Sequence, residues 1–303
     1  MHPYSSIEKS LVSWLKSSVP DTRRFFHGRG HLFEGLEHIN IDWYPPVLLI
    51  TAYSEIQFVD ELKLLINQAD VLSQIESVIL QQRYKKGAPA EAIIGEMISL
   101  CIVTEGNLKF EVHPGVQQNA GLFLDMRPLR EWLQQNSEGK NLLNLFSYTC
   151  SLSVAALAGG ARQVVNVDMS KPSIMWGERN HALNKQDMRA VRSIPHNLFR
   201  SWGRIKKYGP YNTIIIDPPT RQRGSFDAEK NYAAVLKKLP QLVKPRADII
   251  ATVNSPYLGP DFLINQFQRY APKSALIEQI PASPEFADKF PDKALKIFHF
   301  RIN

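Results

Sequence analysis

Asp168 and Asp217 each close an apolar run, Val164 to Val167 and Thr213 to Ile216 respectively. Short apolar runs bounded by polar turns read as buried parallel strands. Both carboxylates then stand at the carboxyl edge of a sheet, where open α/β folds bind ligands. Upstream of Asp168 lies the polar turn Ser147-Tyr148-Thr149-Cys150, between the run Leu142 to Phe146 and a small-residue helix, Ser151 to Ala158, that stops at Gly159-Gly160. Strand, turn, helix, strand and acid make one βαβ unit. In such units the turn meets one end of a nucleoside ligand and an acid about 20 residues on takes the ribose hydroxyls. The turn has no Gly-x-Gly, so it argues against a pyrophosphate cradle and against a dinucleotide. The bland alternative is a βαβ unit without ligand, with Asp168 an ordinary helix N-cap.

The second acid opens Asp217-Pro218-Pro219-Thr220. Two prolines fix φ and contribute no N–H, so the turn is stiff and its carbonyls are acceptors. It could hold an amine or a purine edge in one pose; otherwise it is a rigid exit from a strand.

The elements that must position these groups alternate along the chain. Ser5 to Ser17 is predicted as a helix burying Ile7, Leu11, Trp14 and Leu15, with Ser5 and Glu8 as a capping box. Residues 21–115 form a small α+β domain. It has a strand at Val47 to Thr51, helices at Glu55 to Asn67 and Val71 to Ile79, and a basic turn Gln82-Arg83-Tyr84-Lys85-Lys86-Gly87. It ends in a hairpin, Leu100 to Thr104 and Leu108 to His113, that serves as the linker. Residues 116–303 then alternate. Helices are expected at Pro128 to Gln135, Pro172 to Leu183, Leu198 to Lys206, Lys230 to Val243 and Asp261 to Tyr270. Strands are expected at Ala190 to Ile194, Tyr211 to Ile216 and Ile249 to Val253, with a closing antiparallel pair at Ala275 to Ile280 and Ala294 to Phe300. This pattern implies an α/β fold: a doubly wound, mostly parallel sheet with an antiparallel edge, preceded by the small α+β domain.

At 44% hydrophobic and 21% charged the chain has the balance of a soluble globular protein, and no apolar run approaches a membrane span. Its two cysteines, Cys101 and Cys150, offer no disulfide framework and no metal-ligand spacing, which favours a reducing, cytoplasmic setting. A formal charge of +7 favours a polyanionic partner.

Taken together, these motifs resemble the class I S-adenosylmethionine-dependent methyltransferases, and among them the bacterial 23S ribosomal RNA large-subunit enzymes. The nearest resemblance is to the guanine-N7-methylating C-terminal half of the bifunctional member. The resemblance rests on Gly121-Leu-Phe-Leu-Asp-Met-Arg127, Leu143-Asn-Leu-Phe-Ser-Tyr-Thr149, Gly159-Gly-Ala-Arg162, Val167-Asp-Met-Ser170, Trp176-Gly-Glu-Arg-Asn180, Leu183-Asn184 and Asp217-Pro-Pro-Thr220. It covers about residues 21–303 and implies a Rossmann-like methyltransferase domain using S-adenosyl-L-methionine. It implies that Ser147, Tyr148 and Thr149 line the methionine end of the cofactor, that Asp168 holds the ribose, and that Met169 packs on the adenine. Phe123, Asp125 and Arg127 would close the cofactor pocket. Asp217, Pro218, Pro219 and Thr220 would face the methyl group and the target base. Three positions depart from the pattern. Cys150 replaces a glycine usual in the first turn. His196-Asn197 stands where an acid usually meets the adenine amine, leaving Asn197 to serve through its amide. Arg221 replaces a common aromatic, so stacking on the base would fall to Phe226 or Tyr257.

A carbon nucleophile such as cytosine C5 usually requires a cysteine to attack the ring first. Neither cysteine lies after the fourth or fifth strand, where Thr252-Val253-Asn254-Ser255 stands instead. 5-Methylcytosine formation is therefore rejected in favour of a purine nitrogen. Arg200, Arg204, Lys206, Lys207, Arg221 and Arg223, with Trp202 and Tyr208 among them, are expected to flank the catalytic edge and track RNA phosphates. The expected partner is RNA, 23S ribosomal RNA in particular, with no membrane. The alternatives are a small-molecule methyltransferase or a non-catalytic RNA-binding assembly factor on the same scaffold.

Overall fold

The structure is a computed structural model that describes residues 4–219, 221–222 and 226–302, the side chains of 221 and 222 excepted. The chain divides into two compact units. The first comprises Met1–Asp125 and Ser283–Phe290, and the second Met126–Ala282 and Pro291–Asn303.

In the first unit, helix α1 (Ser5–Leu15) is followed by strands β1 (Arg23–His27), β2 (Ile39–Tyr44) and β3 (Val47–Ala52). Helix α2 (Val59–Ala69) and strands β4 (Ser77–Gln82), β5 (Ala90–Ile94), β6 (Cys101–Glu105) and β7 (Leu108–Val112) complete it. The first five strands form one sheet in chain order, antiparallel except that β3 and β4 run parallel around α2. Ile7, Leu11 and Leu15 of α1 and Leu62 and Ile66 of α2 pack with sheet residues such as Ile41, Trp43 and Ile50. The predicted capping box does not form: Tyr4 is the N-cap, without a side-chain bond. The helix predicted over Val71 to Ile79 is a turn leading into β4. Both oxygens of Asp70 accept backbone N–H groups, from Gln74 and Ile75, at 2.9 Å each. That local bonding closes a turn and wins over helical spacing. The segment 283–290 is bound into this unit. Glu285 Oε2 accepts from Arg24 N at 3.2 Å, and the Arg24 guanidinium lies 4.5 Å from the Phe286 ring centroid.

The second unit contains α3 (Arg127–Asn136), β8 (Asn141–Leu145), α4 (Ser151–Ala158), β9 (Gln163–Val167), α5 (Lys171–Leu183) and β10 (Val191–Ile194). It continues with α6 (Trp202–Tyr208), β11 (Tyr211–Ile216), the short strands β12 (Arg221–Gln222) and β13 (Phe226–Asp227), and α7 (Ala228–Leu236). Then come β14 (Val243–Asn254), α8 (Asp261–Tyr270), β15 (Ser274–Ile280) and β16 (Leu295–Ile302). The sheet order is β10-β9-β8-β11-β14-β16-β15. The first five of these strands are parallel, and β16 runs antiparallel to both β14 and β15. This is the doubly wound sheet with an antiparallel edge that the alternation implies. The helix expected over Lys230 to Val243 is α7 and a short 3-10 turn, and Val243 already belongs to β14.

Strand alternation sends Leu143, Leu145, Ile214 and Ile216 to one face, where they meet Tyr232, Val235 and Phe267 of α7 and α8. The chain winds outward from β8 through β9 to β10, then crosses to β11 on the other side of β8. That reversal opens a crevice between the carboxyl ends of β8 and β11, the binding position of such sheets.

Candidate active site

The turn after β8 is fastened to its neighbours on both sides. Ser147 N donates to Val167 O at 3.1 Å, and Cys150 N to Ser147 O at 2.7 Å. Asp168, just past β9, accepts from Tyr148 N at 2.9 Å through Oδ2 and from Ser170 N at 2.8 Å through Oδ1. Phe146, Tyr148 and Cys150 have φ of 62°, 46° and 62°. Each side chain held in the left-handed region costs roughly 1–2 kcal/mol, and such backbone concentrates at ligand sites. The turn therefore keeps its shape against its own preference. Burial raises the Asp168 carboxyl above its ordinary value of 3.8, with the Ser170 and Tyr148 N–H groups opposing.

Helix α5 braces the turn from behind. The buried Asn180 donates through Nδ2 to Thr149 O at 2.9 Å, and the Trp176 ring lies 6.3 Å from that of Tyr148. A Cβ on Gly177 would stand 2.3 Å from Cys150 Sγ, so the bare backbone of α5 makes room for the cysteine. Burial pushes the Cys150 thiol up to about 12, with the Ser147 hydroxyl lowering it only in part. Below the turn, Asn144 Nδ2 donates to Ser153 Oγ at 2.9 Å. Ser153 bonds Asn166 in turn, and His181 Nδ1 meets Gln186 Oε1 at 2.6 Å. Asn144 and Asn166 are paired across β8 and β9. This buried chain ties two strands to α4 and α5.

On the other side of the crevice, Asp217 follows β11. Its Oδ1 accepts from Thr252 Oγ1, a buried hydroxyl on β14. The Tyr232 hydroxyl lies 3.2 Å from both Ile216 O and Thr252 O and shares its one proton between them. Thr252 and Tyr232 thus fix the strand end that carries the acid, with Pro218 buried and Pro219 exposed.

The profile of the S-adenosylmethionine-dependent methyltransferase family matches residues 23–301. The chain belongs to this family. The ribosomal RNA large subunit methyltransferase K/L of Hahella chejuensis is 32% identical over 261 residues, 80% of this chain and 35% of the relative. The protein of the same name from Shewanella pealeana is 31% identical, over 81% of this chain and 36% of its own. The chain spans about a third of the length of these curated relatives. A methyltransferase crystallised with SAH superposes with a TM-score of 0.84 at 24% identity, covering 98% of this chain and 81% of that one, and so shares the fold.

The family's cofactor is S-adenosylmethionine, and the residues of this methyltransferase fit it. The Ser147 hydroxyl is buried and meets no nitrogen or oxygen partner among the described residues. Among those residues, no cation pairs with Asp168. Met169, beside it, is 47% exposed and offers an uncovered apolar surface. Asn197 Oδ1 accepts from Phe199 N at 2.9 Å, so its carbonyl caps the following 3-10 turn and its amide N–H groups are what it can offer a ligand.

Ser147, Tyr148, Thr149, Asp168, Met169 and Asn197 follow three neighbouring parallel strands of the methyltransferase sheet, and Asp217 follows a fourth. Phe123 and Asp125 belong to the first unit, while Arg127 opens α3 and bonds Glu131 at 3.0 Å. Thr220 and Arg223 lie outside the described residues, as does the Arg221 side chain. Phe226 is corrected: at 2% exposure, with the Phe146 ring 4.9 Å away edge-on and Phe199 stacked at 6.4 Å, it is core and cannot receive a base. Tyr257, 89% exposed, remains. Lys206, Lys207 and Tyr208 are corrected too. They end α6, which returns from the carboxyl edge to the start of β11. Tyr208 O accepts from Gln163 at the start of β9, at 3.2 Å, so these residues lie at the opposite end of the sheet. Arg200 and Arg204 are exposed near the start of that crossing. Thr252, the Asn144–Asn166 pair and Gly177 escaped sequence reading as site residues; the available signal was polar residues set inside apolar strands.

Proposed function

We propose that this chain transfers a methyl group to a purine nitrogen of RNA, in ribosomal RNA of the large subunit. The observation that carries this is the pair of carboxylates at the β8/β11 crevice without a competent thiol. Cys150 is buried with its thiol up at about 12, and Cys101, in the first unit, is likewise at about 12. Attack on a pyrimidine carbon requires a thiolate that neither supplies. A purine nitrogen brings its own lone pair.

The methyl transfer is an in-line displacement, and the cofactor supplies the activated methyl group. Asp168 and the Ser147–Thr149 turn would hold the ribose and methionine ends, with Met169 on the adenine. Asp217, steadied by Thr252, and the Pro218 carbonyl would accept hydrogen bonds from the base and set its angle of approach. A base within folded RNA would first be turned out of its stack. Arg127, at the start of α3 in the same unit, would close the pocket. The K/L names of the relatives and the charge of +7 support an RNA partner. No described helix is long and apolar enough to cross a membrane.

The test is methylation of ribosomal RNA from cells lacking the gene, with labelled S-adenosylmethionine, followed by nucleoside digestion. Label in a methylated purine is expected. Label in 5-methylcytidine would overturn the proposal, as would transfer confined to small molecules.

A further inference from the structure

In the first unit's sheet, β1, β3 and β4 point the same way, since β2 is antiparallel to both β1 and β3. Their carboxyl ends share one edge, and the loops leaving them carry Arg29, Tyr53 and Arg83-Tyr84-Lys85-Lys86. The loops are hydrogen-bonded to neighbouring strands. Arg83 N donates to Ala52 O and Tyr53 N to His38 O, both at 2.8 Å. Two guanidiniums converge on one ring, that of Arg29 at 4.2 Å and that of Arg83 at 5.4 Å from the Tyr53 centroid. Lys85 Nζ lies 5.6 Å from the centroid of Tyr84, which is 40% exposed and donates to Gln82 Oε1 at 3.0 Å. Among the described residues, none of Arg29, Arg83, Lys85 and Lys86 makes an ion pair with a carboxylate. Glu91, on β5, is bonded by Gln82 instead, at 3.1 Å.

We propose that this edge is a second RNA-binding surface, on which a single-stranded segment of the substrate lays its phosphates against Arg29, Arg83, Lys85 and Lys86 and a base against Tyr84. Four like charges from two loops repel one another, and a chain of phosphates is the partner that relieves them. Arginines resting on a ring are held in place, so less freedom is lost when phosphate arrives. A base stacks on any aromatic face, so the contact is indifferent to sequence. The surface rests on the reading of the substrate as RNA.

The experiment measures fluorescence anisotropy of the full chain with a labelled single-stranded RNA across a salt series. Calorimetry with S-adenosylmethionine and a thermal melt run alongside. In R29Q/R83Q/K85Q/K86Q the salt slope should fall by about 2–3, at roughly 0.7 per phosphate contact, and affinity by at least about tenfold. Cofactor affinity and melting should not change. K85Q/K86Q, confined to exposed side chains, should show about half the change in slope, and Tyr84→Ala should weaken binding with the slope intact. Wild-type slope and affinity in the quadruple variant would overturn the surface while leaving an RNA substrate standing. Failure of the wild type to bind RNA at low salt would overturn both. Loss of binding to anionic vesicles, with RNA binding intact, would assign the edge to a membrane and overturn the proposal.

Discussion

Asp168 and Asp248 lie in the same parallel sheet and are treated in opposite ways. Asp248, in the amino-terminal half of β14, is ringed by donors: Lys140 at 2.9 Å, His299 at 2.9 Å and Arg301 at 2.7 Å. Burial works to raise it, but those three donors hold it well below the usual carboxylate range. Asp168, at the carboxyl edge, meets backbone N–H groups, and burial raises it. One carboxylate is saturated by the fold. The other is positioned by the fold and, among the described residues, kept without a counter-charge. The second arrangement destabilises the chain slightly, and it is the one suited to a ligand bearing hydroxyls.

Asp217 tests the comparison most severely. Asp217→Ala should lower methyl transfer by about 10²–10³-fold, the scale of losing one group placed at a reacting centre, while cofactor affinity measured by calorimetry stays within about twofold. Thr252→Val should give a smaller loss in kcat. Full activity in Asp217→Ala would place the base elsewhere.

Asp168→Ala should weaken S-adenosylmethionine by about 100-fold, since two charge-assisted hydrogen bonds are worth about 3 kcal/mol together. Because its carboxyl is raised, cofactor affinity should start to fall on acidification above the ordinary aspartate range, and Asp168→Asn should flatten that dependence. An unchanged pH profile in the amide variant would remove Asp168 from the ribose.

Asp248→Asn should leave cofactor affinity alone and lower stability by about 1–3 kcal/mol, as the partly exposed Lys140 and Arg301 lose their buried counter-charge. Its folded pKa is lowered, so its contribution is complete above 3.8 and is lost as pH falls toward the lowered value. Wild type should therefore lose stability steeply in that acid window and the variant less so, as read by denaturant melts.

The smallest effect belongs to the turn after β8. Gly177→Ala should cost about 1–3 kcal/mol by overpacking against Cys150 Sγ, and Cys150→Gly in the same chain should recover most of it. Additive losses in the double variant would show that the two positions do not meet.

Much of this was legible in the residues. The apolar runs ending in Asp168 and Asp217 are strands, and Ser151–Ala158, Tyr211–Ile216 and Asp261–Tyr270 match their predicted bounds. The failures have local causes. Val71, Ile75 and Ile79 sit at helical spacing, yet Asp70 captures two backbone N–H groups and ends the helix before it starts. Phe226 was a candidate to stack on the base, and only the fold brings Phe146 and Phe199 against it. Thr252 was read as the absence of a cysteine, because its bond to Asp217 spans two strands that sequence spacing does not pair.

Residues 283–290 complete the first unit, so that unit is encoded in two separate stretches of the gene. Recombination carrying residues 1–125 alone would leave Arg24 without Glu285 and Phe286. Recombination carrying 126–303 alone would deliver a peptide whose partners stayed behind. The two units are therefore inherited together, because neither stretch alone carries the whole first unit.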